Sequence, residues 1–125
     1  MKRRVLVAED NLFLSEIMQK ELEGLNYYVA IASNGLEAVK MATSEIPDII
    51  IMDLMMPELD GFEAASQIRQ NPKTQAIPLL AVTALLAPDI RKRCLASGFD
   101  DYIVKPFTSS ELEAAIKKIL KRQTV

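Results

Sequence analysis

Three stretches of this sequence, Val5–Ala8, Ile49–Met52 and Leu79–Val82, are apolar at every position. A strand with one face in water alternates apolar and polar residues. An unbroken apolar run needs cover on both faces, which is the situation inside a parallel sheet flanked by helices. Two further runs, Tyr28–Ile31 and Tyr102–Val104, have the same strand character. Helical patterns lie between them. Leu14, Ile17, Met18, Leu22 and Leu25 form one apolar stripe. Asn34 with Glu37, and Asp60 with Glu63, have the form of helix starts. Pro88 suits the first turn of a helix carrying Ile90, Cys94 and Leu95. Thr108 with Glu111 reads as a capping box ahead of Leu112, Ile116, Ile119 and Leu120, and Lys117, Lys118, Lys121 and Arg122 fall late in that helix, where they complement its dipole. Strands alternating with helices predict an α/β fold, a doubly wound parallel sheet of (βα)5 form. With no repeat, linker or low-complexity stretch, the chain reads as a single domain over 1–125 with its core at about 4–122.

Composition removes several classes of function. The formal net charge is −2, so no general attraction to nucleic acid or to an anionic membrane is expected. No apolar run approaches the roughly 20 residues of a membrane span, and the basic start Lys2-Arg3-Arg4 is not followed by a signal-type apolar segment. A cytoplasmic protein is expected. There is one cysteine and no histidine, which excludes an internal disulfide, His-dependent nucleophilic sites and a zinc centre. Any metal must be hard and oxygen-liganded.

In a doubly wound sheet the functional groups collect beyond the carboxyl ends of the strands. Glu9 and Asp10 follow the first apolar run, Asp53 the third, Thr83 the fourth, and Lys105-Pro106 the fifth. Carboxylates crowded together repel one another, and a divalent cation relieves the conflict. Glu9, Asp10, Asp53 and a nearby backbone carbonyl suit Mg²⁺, or Mn²⁺, and Lys105 suits phosphate oxygens.

With Val7-Ala8-Glu9-Asp10-Asn11, Met52-Asp53-Leu54-Met55-Met56-Pro57 followed by Asp60-Gly61, Val82-Thr83-Ala84 and Lys105-Pro106-Phe107 in this order, the chain resembles the receiver domain of bacterial two-component response regulators, from about Arg4 to about Leu120. The resemblance implies a CheY-like, flavodoxin-like strand order 2-1-3-4-5. It implies Asp53 as phosphoacceptor, Glu9 and Asp10 as the acidic pair holding Mg²⁺, and the Met55 backbone carbonyl as a further ligand. It implies Thr83 as switch hydroxyl, Tyr102 as switch aromatic, Lys105 as the phosphate-contacting lysine and a cis peptide before Pro106. It also implies a histidine kinase or histidine phosphotransfer protein as donor, and a downstream protein bound by the face of the fourth helix, fifth strand and fifth helix. Such a chain is a signalling phosphoacceptor, not an enzyme in the ordinary sense. Met55 and Leu85, at the positions that tune phosphate loss in the family, are apolar and predict a long-lived phosphoryl state.

A dehalogenase-like phosphatase would need an acid two residues after its nucleophile, where this chain has Met55. A flavodoxin-like cofactor binder would need a Gly- or hydroxyl-rich first loop, where this chain has Glu9-Asp10-Asn11-Leu12. A receiver that binds without phosphorylation would not need the complete residue set. Cys94 reads as a core thiol, and Arg91-Lys92-Arg93 as a solvated helix face. Met1 just ahead of the first strand and a completed last helix favour a stand-alone regulator, and nothing signals an oligomer beyond a monomer or weak dimer.

Overall fold

The computed structural model describes residues 2–84 and 86–122. Elements alternate along the chain: β1 (Arg4–Ala8), α1 (Leu12–Gly24), β2 (Tyr28–Ala32), α2 (Gly35–Glu45), β3 (Ile49–Asp53), α3 (Gly61–Gln70), β4 (Leu79–Thr83), α4 (Ile90–Ser97), β5 (Asp101–Val104) and α5 (Ser109–Arg122). The strands form one parallel sheet in the order β2-β1-β3-β4-β5. This is the doubly wound α/β architecture expected from the apolar runs.

The pleat sorts the strand residues between two cores. Leu6, Ala8, Ile50, Met52, Leu79 and Ala81 face α2, α3 and α4, where they meet Ala38, Ala42, Ala64, Ile68, Ile90 and Cys94. Val5, Val7, Ile49, Ile51, Leu80 and Val82 face α1 and α5, where they meet Met18, Leu22, Leu112, Ile116 and Ile119. β1, β3 and β4 are covered on both sides, which accounts for their unbroken apolar character.

Local chemistry sets the helix starts. Asn34 Oδ1 accepts from the Glu37 amide at 2.8 Å, and the Glu37 carboxylate reaches back to the Ser33 amide. Asp60 caps α3 through the Glu63 amide at 2.9 Å. Thr108 and Glu111 form the expected reciprocal pair, each bond 3.0 Å. Pro88 is not in a helical turn. It occupies the second position of a turn closed by the Ile90 amide on the Ala87 carbonyl, and Asp89 at φ −99° and ψ 11° completes that turn. Two apolar stripes are narrower than expected. Ile17 on α1 and Leu95 on α4 are exposed, because the buried side of α1 is carried by Met18 and Leu22 and that of α4 by Ile90 and Cys94. Cys94 is a core residue, and burial pushes its thiol above the ordinary value.

A residue without sequence signal ties the amino ends of β4 and β5 together. Arg69, in the last turn of α3, donates to the Gly98, Gln75 and Ile77 carbonyls and pairs with Asp100 at 3.0 Å. Asp100 in turn accepts from the Leu79 amide at 2.8 Å. Replacing Arg69 leaves several backbone acceptors and a carboxylate short of a donor. Arg69→Met should therefore cost about 3 kcal/mol, read as a lowered urea midpoint with unchanged slope.

Candidate functional site

The same pleat that builds the two cores aims the groups at the carboxyl edge. Continuing the parity of Val5 and Val7, Glu9 falls on the side of the sheet that faces α1 and α5. So do Asp53 after Ile49 and Ile51, and Lys105 after Ile103. These three meet. Lys105 Nζ lies 2.9 Å from Asp53 Oδ2 and 3.0 Å from Glu9 Oε1. Glu9 is 3 % exposed and Asp53 8 %. The remaining oxygen of each is satisfied locally, Asp53 Oδ1 by the Met55 amide at 3.0 Å and Glu9 Oε2 by the Asn11 amide at 3.1 Å.

Asp10 adds a third carboxylate, exposed at the mouth. One oxygen from each of Glu9, Asp10 and Asp53 lies within 4.8 Å of the others. Three carboxylates against one ammonium leave an excess of negative charge in a largely buried place. Burial raises the Glu9 carboxyl above its ordinary value, in spite of the Asn11 amide and Lys105 that pull it down. Burial alone would lower the Lys105 ammonium, but its bonds to Asp53 and Glu9 outweigh that and hold it above the ordinary lysine value. The donor set is all oxygen and anionic, which fits a small hard divalent cation.

Thr83 and Tyr102 stand on the other side of the sheet. Thr83 follows the parity of Leu79 and Ala81 and is fully buried. Tyr102 pairs with Ala81 in the β4–β5 register and packs, half-buried, on the core beneath α4. The backbone carbonyl of Thr83 accepts from the Lys105 amide at 2.8 Å. Thr83 is thus linked through the chain to the lysine on one side and shares a face with Tyr102 on the other. The Lys105–Pro106 peptide is cis. The Met55 side chain points outward at 61 % exposure while its amide holds Asp53. Leu85 lies outside the described residues.

Two glycines fix the loop between β3 and α3. A Cβ on Gly61 would stand 2.5 Å from the Asp53 carbonyl oxygen, and one on Gly35 would stand 1.8 Å from the Leu59 carbonyl oxygen. Neither position can carry a side chain without moving that loop. The loop also holds Glu58 at φ 68°, spanned by a 2.8 Å bond from the Leu59 amide to the Pro57 carbonyl. The paired signals Asn34-Gly35 and Asp60-Gly61 announce helix starts, but a close backbone approach is not readable from the capping pattern alone.

A model of the response regulator receiver domain matches residues 5–117. The chain belongs to the response regulator receiver family. This receiver is similar to the probable transcriptional regulator ycf27 of Guillardia theta, 40 % identical across 97 % of this chain and 46 % of that protein. Among solved structures it is similar to the receiver domain of the sensor histidine kinase PA1611 from Pseudomonas aeruginosa PAO1, crystallised with a magnesium ion in its active-site cleft. That pair shares 33 % identity and a TM-score of 0.89, over 97 % of this chain and 99 % of that one. It is also similar to the receiver domain of Ssk1 from Saccharomyces cerevisiae, co-crystallised with the phosphotransfer protein Ypd1, at 32 % identity and a TM-score of 0.89, over 99 % of this chain and 92 % of that one. The receiver spans about half the length of the curated relatives it matches. Among the described residues, no helix is long and apolar enough to cross a membrane.

Gly35→Ala and Gly61→Ala should each cost about 1–3 kcal/mol through overpacking. Amide NMR should show the Met55 resonance displaced in both, since that amide hangs on the loop the new methyl group pushes.

Proposed function

We propose that Asp53 accepts a phosphoryl group in the presence of Mg²⁺, and that the modified domain then binds a downstream protein. The observation that carries this reading is the buried meeting of Asp53, Glu9 and Lys105 beside Asp10. A carboxylate held by the Met55 amide and Lys105 has fixed orientation, as in-line attack on phosphorus requires. Glu9, Asp10, Asp53 and the Met55 backbone carbonyl are the groups that would hold the cation, with Mn²⁺ a chemically similar alternative. When bound, the cation neutralises the surplus carboxylate charge and that of the phosphoryl oxygens.

In this reading an Asp53 oxygen forms the new bond to phosphorus while the donor's bond breaks, giving an acyl phosphate. Lys105, released in part from Asp53, turns to the phosphoryl oxygens. These 125 residues contain no histidine, so a phosphohistidine donor must lie outside them, on a histidine kinase or phosphotransfer protein. The complex of Ssk1 with Ypd1 supports that class of partner. Thr83 then moves to the phosphoryl group, and Tyr102, one pair away on the same face, takes up the space. That couples the site to the surface of α4, β5 and α5 as a population shift. Relatives named as transcriptional regulators make gene expression a reasonable output. The outward Met55 offers nothing to orient a hydrolytic water, which supports a slowly lost phosphate, and it lacks the second acid of a phosphatase.

Beryllofluoride with Mg²⁺ should bind the wild-type protein, and chelation of the metal should release it. Asp53→Ala should abolish that binding without loss of fold, as followed by ¹⁹F NMR and circular dichroism. Failure of the wild type to bind would sink the phosphoacceptor reading. Phosphoryl loss measured by intact mass should extend well beyond seconds.

A further inference from the structure

β2 is one free edge of the sheet: among the described residues no strand lies beyond it. Its parallel ladder with β1 uses the backbone of alternate residues. The Tyr28 amide donates to the Arg3 carbonyl, and the Ala32 carbonyl accepts from the Glu9 amide. With the register unbroken between them, Tyr28, Ala30 and Ala32 turn their backbone groups inward. The amides and carbonyls of Val29 and Ile31 therefore point out of the sheet. Edge strands ordinarily carry a charge, a proline or a bulge that discourages pairing with another chain. β5, the opposite edge, has such a guard. Asp101 Oδ1 accepts from the outward Tyr102 amide at 2.8 Å, and Lys118 stands 3.8 Å from Asp101 Oδ2. β2 reads Tyr-Val-Ala-Ile-Ala, and it has no charge, no proline and no bulge.

We propose that this edge pairs with the β2 edge of a second copy, antiparallel about a two-fold axis at Ala30, joining two five-stranded sheets into one. The backbone selects that register. The Tyr27 amide already serves the Leu22 carbonyl, and the Ser33 amide the Glu37 carboxylate. That leaves the outward groups of Val29 and Ile31. Centring the pair on Ala30 sets Val29 of each copy opposite Ile31 of the other, so every one of those groups finds a partner. Tyr28 is 57 % exposed and shares the α2 face with Ala30 and Ala32. In this register its ring crosses to Ala32 of the second copy, which is small enough to accept it. The ends are complementary in charge. Lys2 Nζ lies 4.4 Å from the Tyr28 ring centre at one end, and the Glu37 carboxylate holds the Ser33 amide at the other. Antiparallel pairing turns the cationic end of each copy towards the anionic end of the other. The interface is short, so the dimer is weak, with a dissociation constant on the order of 100 µM.

The test uses the full chain over a range of concentrations. In sedimentation equilibrium the weight-average mass should climb towards twice that of the monomer as concentration rises. Between roughly 20 µM and roughly 1 mM, exchange of the Val29 and Ile31 amides with deuterium should slow about fourfold, as mass action requires. The Ala30 amide, bonded within the monomer, should not change. Cysteine cross-linking checks the register. Ala30 faces Ala30 of the second copy at a Cα separation of roughly 4.5 Å, close enough for a disulfide. Ala30→Cys should therefore give a covalent dimer on mild oxidation, seen by intact mass. Val29 lies diagonal to Val29 of the second copy at roughly 7–8 Å, so Val29→Cys should stay monomeric. Cys94 is buried and does not compete. A wild-type protein that remains monomeric throughout, with exchange independent of concentration, overturns the proposal. So does a dimer that leaves the Val29 and Ile31 amides unprotected, or one in which Val29→Cys cross-links as readily as Ala30→Cys.

Discussion

The two ion pairs from Lys105 to Glu9 and Asp53 are the interaction on which the carboxyl edge of this sheet depends. Two buried carboxylates side by side would be costly without a counter-charge. One ammonium satisfies both, yet with Asp10 at the mouth it leaves the cluster negative. A site in this condition is stable enough to fold and still favours an incoming cation. Lys105 holds one oxygen of Asp53 and the Met55 amide the other, so any group that reaches this carboxylate has to displace one of those bonds.

The rest of the architecture serves that cluster from a distance. Each of the three charged residues comes from a different strand end, and parallel strands in fixed register put those ends level. The loop after Asp53 is set by the absence of side chains at Gly35 and Gly61. α2 thus constrains the site through its first residue while contributing no chemical group. At the opposite end of the sheet, Arg69 gathers the turns before β4 and β5.

Much of this was legible in the residues. The unbroken apolar runs specified a sheet covered on both sides, and of the groups directly after them Glu9, Asp10, Asp53 and Lys105 lie together, because strand ends are where a parallel sheet exposes polar chemistry. What escaped has physical reasons. Arg69 looks like any basic residue near a helix end, and only the turn that returns to it reveals its carbonyl partners. Ile17 has the spacing of a core residue, but spacing cannot tell which flank of a helix the sheet leaves uncovered. Pro88 suits a helix start and a tight turn equally, and the φ and ψ of Asp89 decide for the turn. The close contacts of Gly35 and Gly61 depend on a loop whose path is set by tertiary structure.

The alternation of side chains across the sheet has one more consequence. Asp53 and Lys105 project to one side of it and Thr83 and Tyr102 to the other, so the sheet edge separates the charged cluster from the hydroxyl and the phenol ring. Because side chains change sides with every residue, a single-residue insertion within β4 would exchange the places of Thr83 and its neighbour and disconnect the two compartments. At the amino edge the constraint is of another kind, because the turns before β4 and β5 must return to Arg69. A change of length is felt through side-chain parity inside a strand and through those contacts in the turns.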